Sequence, residues 1–129
     1  MAKVKDFRDL TVWRLGKEIV VEAYKISKGF PKSEIYGLTN QMRRAAVSIP
    51  SNIAEGFNRQ HNKEYRQFLY TALGSCAELE TQLEVSCDLG FLTKEVESPL
   101  LEKIKQESRM LQNLIKKINE SGAVRKPNP

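Results

Sequence analysis

The chain has 129 residues, 40% of them hydrophobic and 29% charged, with seven glycines, five prolines and a formal net charge of +5. That length and balance fit one soluble domain with one core and leave no room for a second. The first ten residues, MAKVKDFRDL, are charged throughout and lack the apolar centre of a secretory signal, and no later apolar run reaches bilayer-spanning length, so a cytoplasmic protein without a membrane partner is expected.

A first helix is predicted from Asp9 or Thr11, either of which caps exposed amides, with Val12, Trp13, Ile19, Val20, Ala23 and Tyr24 facing inward. Gly29 and Pro31 end it. The second helix opens at Ser33 or Gly37 and runs to about Arg59. Within it, Leu38, Met42, Ala45, Ala46, Ile49, Ile53 and Phe57 recur at steps of three and four, giving one apolar face over about five turns. A smaller apolar strip, Val47, Pro50 and Ala54, lies on the far side, and a polar strip of Arg44, Ser48, Ser51 and Glu55 separates the two. A helix with two apolar strips meets two partners. Pro50 removes the hydrogen bond to the Ala46 carbonyl, at a cost of about 3 kcal/mol in an ordinary helix interior, so a kink is expected there.

Asn62 is placed to cap a third helix whose inward side carries Tyr65, Phe68, Leu69, Ala72, Cys76, Leu79, Leu83 and Ser86, with Gly90 as its end. Thr93, or alternatively Ser98 with Pro99, starts a fourth helix on Leu100, Ile104, Leu111, Ile115 and Ile118, its stripe broadened by Met110 and Leu114. Residues 1–120 are thus read as one all-α domain, an antiparallel up-down-up-down four-helix bundle, and 121–129 as a disordered tail.

Cys76 and Cys87 stand about 16 Å apart along one helix, beyond the reach of a disulfide, and read as small buried thiols of a reducing compartment. His61, the one histidine, lies in the polar connection NRQHNK, where a solvated role outweighs that of a catalytic base. HExxH, paired CxxC, GxSxG and glycine-rich phosphate motifs are all missing from the sequence. Glu78, Glu80 and Glu84 lack the Glu-x-x-His partners of di-metal bundles. No enzymatic activity, cofactor or metal is therefore expected.

Charge is uneven along the chain. Residues 67–92 hold four acidic side chains and no basic ones, whereas 41–66 hold five basic to two acidic and 93–129 eight to five. Arg43 and Arg44 point about 100° apart on a helix, so they serve different surfaces. Arg44 is placed to pair with Glu55, or with Glu78 or Glu80 of the next helix, while Arg43 flanks the second apolar strip, where its planar head suits an interface; ion pairing is favoured over phosphate contact for both. The phosphate candidates are Arg59, Lys63 and Arg66 around the second connection and Lys116 and Lys117 near the end of the fourth helix, with ordinary solvated charge as the competing reading. Tyr65 and Tyr70 are weighed as stacking platforms, Tyr65 being the better core residue.

The segments FRDLTVWRLGKEIVVEAY, FPKSEIYGLTNQMRRAAVSIPSNIAEGFNR, EYRQFLYTALGSCAELETQLEVSCDLGFL and RMLQNLIKKI together resemble the 23S rRNA intervening-sequence protein family, also called ribosomal S23-like four-helix-bundle proteins. The likeness spans nearly all of residues 7–118, and RRAAVSIPSNIAEG and GSCAELETQL carry most of it. Gly16 stands where related chains commonly have alanine. The resemblance implies a bacterial four-helix bundle assembled as a homopentamer, with Arg43, Arg44, Asn52, Glu55, Glu78 and Glu80 as structural or inter-subunit groups. It also implies kinship with the basic accessory proteins of diversity-generating retroelements, which bind nucleic acid and a reverse transcriptase. Two functional expectations follow: a non-enzymatic homo-oligomer binding RNA or another nucleic acid through a basic surface, and a protein-protein assembly or adaptor module.

Overall fold

The computed structural model describes residues 4–121; of the tail expected at 121–129, Ser121 ends the last helix and the rest lies outside the described residues. Among these residues the chain forms four long helices and no strand: α1 (Thr11–Ser27), α2 (Leu38–Phe57), α3 (Asn62–Asp88) and α4 (Lys94–Ser121). Each packs against the helix before and after it, and α4 returns against α1, closing a four-membered ring with no diagonal contact. Every neighbouring pair is antiparallel. Arg43 near the start of α2 meets Ser27 at the end of α1, Met42 meets Ser86 across α2 and α3, and Lys103 of α4 reaches Glu18 and Glu22 of α1.

The helix ends follow local chemistry. Asp6 caps a short 3-10 turn, Phe7–Asp9, by accepting from the Arg8 amide at 2.9 Å. The Asp9 carboxylate accepts from the Lys5 and Asp6 amides, so it serves that turn rather than capping α1, which starts after an uncapped Leu10. A second 3-10 turn, Lys32–Glu34, precedes α2, and Glu34 Oε1 accepts from the first amide of α2, Leu38, at 3.1 Å. Gly37 holds the N-cap position. Gly90 takes φ 80° after α3 and donates to the Cys87 carbonyl, while Phe91 donates to Ser86, together closing the helix terminus. Thr93 Oγ1 accepts from the Val96 amide, so α4 starts with Thr93 as its cap and runs through Pro99.

Helix α2 continues unbroken across Pro50, whose ring is buried. Its main apolar face is sealed: Met42, Ala46, Ile49 and Ile53 are fully buried, as are Leu69, Leu79 and Leu83 of α3 opposite. Burial of each such aliphatic side chain contributes about 1.5–3 kcal/mol, enough for two or three of them to outweigh the proline. Gly56 sets how closely α2 and α3 converge, since a Cβ there would stand 2.7 Å from the Phe68 Cβ.

The register of α1 differs from expectation. Its buried stripe is Val12, Gly16, Ile19, Ala23 and Ser27; Trp13 and Val20 are half-buried and Tyr24 is 40% exposed. Val12, Ile19 and Ala23 face inward as expected, while glycine and serine carry no apolar signal, so the pattern reading passed over Gly16 and Ser27 and widened the stripe with Trp13, Val20 and Tyr24. The displaced residues have a partner surface of their own: Phe7, Trp13, Val20 and Val21 line an open groove with Val47, Pro50 and Ala54, the second strip of α2.

Candidate nucleic-acid interface

Antiparallel packing decides which basic residues share a surface. The connection between α2 and α3, the start of α1 and the end of α4 all fall at one end of the bundle. Arg59, Lys63, Arg66, Lys116 and Lys117, drawn from two distant stretches of sequence, are therefore gathered there, joined by Lys5, Arg8 and Arg14. Arg66 is half-buried and the other four candidates are exposed. Arg59 spans Glu55 at 3.7 Å and lies over the Phe68 ring at 4.8 Å. Lys63, Arg66, Lys116 and Lys117 make no ion pair among the described residues, so their charge is available to an outside anion. Arg8 and Arg14 are partly offset by Asp6 at 3.0 Å and Asp9 at 4.0 Å. At the opposite end, Lys28, Lys32 and Lys94 alternate with Glu34, Asp88 and Glu95, leaving no single sign. Tyr65 is buried and unavailable for stacking; Tyr70, 55% exposed, is not.

The RRAAVSIPSNIAEG stretch is used within the bundle and along its side. Arg43 Nε donates to Ser27 Oγ at 2.8 Å, its Nη2 to the Tyr24 carbonyl at 3.5 Å, and its guanidinium lies 4.6 Å above the Tyr24 ring. A cation at the last turn of α1 also complements that helix's C-terminal dipole. Asn52 donates to the Ser48 carbonyl at 2.7 Å and to Ser48 Oγ at 2.8 Å, and Ser75 Oγ donates to the same hydroxyl at 2.8 Å, tying α2 to α3. Arg44 forms none of the expected pairings. It projects from the outward face of α2 into an open groove with Tyr24, Tyr36 and Ser51, while Glu55 is taken by Arg59 and Glu78 lines the groove on the α3 side with Leu38 and Gln41. Glu80 is half-buried on α3.

Pattern reading missed two residues on the core stripe of α4. That stripe is Glu97, Leu100, Ile104, Glu107, Leu111, Ile115 and Ile118, so two glutamates occupy core positions. The signal was the seven-residue gap between Ile104 and Leu111, which one inward position must fill. Glu97 lies near the bundle end, 3.7 Å from Lys94, with its Oε2 buried and without a hydrogen-bond partner; the acidity of the Cys87 thiol is lowered chiefly by burial and then by this neighbouring carboxyl. Glu107 is fully buried, neither oxygen has a hydrogen-bond partner, and desolvation pushes its carboxyl up to about 8. Cys76 beside it is held neutral, its thiol pushed up to about 12 mainly by burial. Both cysteines are free thiols, Cys76 buried and Cys87 half-buried.

Among the described residues, no group of three or more His, Cys, Asp or Glu is arranged to hold a metal ion, and no helix is long and apolar enough to cross a membrane. The family model of the 23S rRNA-intervening sequence protein matches residues 8–113. The chain belongs to that family. A solved structure similar in fold is a Bacteroides thetaiotaomicron VPI-5482 protein of unknown function from the S23 ribosomal protein family, with a TM-score of 0.77 and 22% identity over 82% of this chain and 99% of that one. No curated protein matches the chain.

Proposed function

We propose that this intervening-sequence family member is a non-enzymatic, self-associating cytoplasmic bundle that binds structured RNA, or another nucleic acid, through its basic end. The observation that carries the reading is the gathering of Lys63, Arg66, Lys116 and Lys117, unpaired among the described residues, beside Arg59 at one end of a bundle whose other end is mixed in sign. Such a surface meets phosphates without reading bases, so binding is sequence-tolerant and driven by counterion release. Self-association, with a pentamer as the family expectation, multiplies a weak patch through effective concentration when one RNA spans several copies.

Titration of labelled rRNA fragments at several salt concentrations tests this. The expected result is affinity that falls steeply with salt, and a K116A/K117A double substitution that shallows the slope of log affinity against log salt by about one to two. Binding indifferent to salt, or no binding at low salt, defeats the reading.

The grooves between α1 and α2 support a second role as an assembly or adaptor surface. Tyr36 is 92% exposed and shares one groove with the exposed Ile35 and Val47, while Val21 is exposed in the adjoining groove that Val47 also lines. Light scattering at micromolar concentration separates the two uses. A monomer removes self-association as the occupant and leaves a different protein, such as a reverse transcriptase, whose capture must then survive nuclease treatment.

A further inference from the structure

The contact between α1 and α4 is the smallest of the four helix-helix interfaces. Two features coincide on it. Outside, Lys103 clasps Glu22 at 2.8 Å and Glu18 at 3.3 Å. Inside, one turn further along α4, the Glu107 carboxyl is sealed with both oxygens unpartnered. Gly16 leaves room beside it: a Cβ there would stand 3.0 Å from Glu107 Oε2 and 3.3 Å from Ile49, tight enough that the neighbours would have to give by a few tenths of an ångström. From α2 the groups at this point are Ile49 and Pro50, neither titratable. From α3 they are Cys76 and, more distantly, Glu80; from α4 itself, Ser108, which hydrogen-bonds Cys76, and Lys103, committed to α1. None supplies a positive charge to the buried carboxyl, and burial alone accounts for its weakened acidity.

We propose that Glu107 and Gly16 form a proton-operated latch on the α1–α4 seam, shut while the carboxyl is protonated and released as the proton leaves. A carboxylate has no partner inside, and of the two contacts that flank α4 the one with α1 is the smaller, so ionisation favours opening on that side. The sign follows from linkage. The open form ionises at the ordinary value of 4.5 and the closed form at about 8, so the open population grows about tenfold per pH unit between those values and levels off above. Lys103 with Glu18 and Glu22 restrains the outer edge.

The test is amide hydrogen exchange on the full-length protein, as protection factors corrected for intrinsic rates, at pH 6, 7, 8 and 9. In the natural sequence, protection of α1 and α4 amides around residues 16 and 107 should fall about 50-fold between pH 6 and 8, while amides at the α2–α3 contact change far less. In Glu107→Gln the seam should show no such dependence. A carbon-13 titration of the Glu107 carboxyl provides a reading that needs no variant. Overturning results are a Glu107 midpoint near the ordinary value, a seam whose pH dependence survives Glu107→Gln, or loss of protection spread evenly over all four helices.

Discussion

Glu97 and Glu107 occupy the same stripe of α4, ten residues apart, and both are buried, yet they meet opposite surroundings. Glu97 sits in the first turn of its helix, where backbone amides and the N-terminal dipole favour negative charge; its own amide donates to Thr93, and Lys94 and Cys87 flank its carboxylate. Glu107 lies in the middle of the bundle, among Gly16, Ile49 and Pro50, with nothing to donate to it. At the end of the bundle one carboxyl oxygen of Glu97 meets Lys94 while the other is buried without a hydrogen bond, so the contrast lies in one answered oxygen against none. At the waist the carboxyl is tolerated only by giving up its charge.

Replacing the central glutamate should produce the largest effect. Glu107→Leu removes the ionisation penalty, and stability at pH 7 should rise by about 3 kcal/mol, a figure obtained from the distance between 4.5 and neutrality at about 1.4 kcal/mol per pH unit. Denaturant melts of both proteins from pH 5 to 8 check this. The pH-dependent gap between the curves should shrink toward 4.5, below which the unfolded chain is also protonated and the raised carboxyl costs nothing, and widen as pH rises. Parallel curves would erase the contrast between the two glutamates.

Gly16→Ala should come next. Alanine gains about 1 kcal/mol in helix propensity but crowds the Glu107 oxygen, for a net loss of about 1–2 kcal/mol. In a Glu107→Ala background the same substitution should turn neutral or stabilising, so a double-mutant cycle reads the contact directly. Additive effects would separate Gly16 from the carboxyl it accommodates.

The smallest effect belongs to the end of the helix. Lys94 is 77% exposed, so Lys94→Ala should cost no more than about 0.5 kcal/mol, less at high salt, with Glu97 still served by its helix terminus. A loss above about 2 kcal/mol would mean that Glu97 depends on its lysine as a buried charge does, and the two sites would differ less than their surroundings suggest.

Most of the fold was legible because its code is periodic. Spacings of three and four in α2, α3 and α4 lead to the four-helix bundle, and Gly90 and Thr93 mark helix ends that the structure keeps. The buried register of α1 was less legible: Gly16 and Ser27 face the core for reasons of space and hydrogen bonding rather than hydrophobicity, while Tyr24 is drawn outward beneath Arg43. Arg59, Lys63, Arg66, Lys116 and Lys117 could be named from charge alone. That Lys117 stands near Arg66 at one bundle end required antiparallel topology. Glu107 escaped notice because a hydrophobic count skips a glutamate, although the rhythm around it reserves an inward place.

The basic residues gather at one tip of the bundle, and the apolar groove between α1 and α2 starts near that tip at Phe7, Trp13 and Ala54 and runs along the flank to Val21 and Val47. Copies standing side by side would leave every tip uncovered and facing the same way when their axes are parallel. On the proposed reading, such an assembly would meet a polyanion as a stamp does, its footprint set by how many neighbours stand around it rather than by the length of any helix.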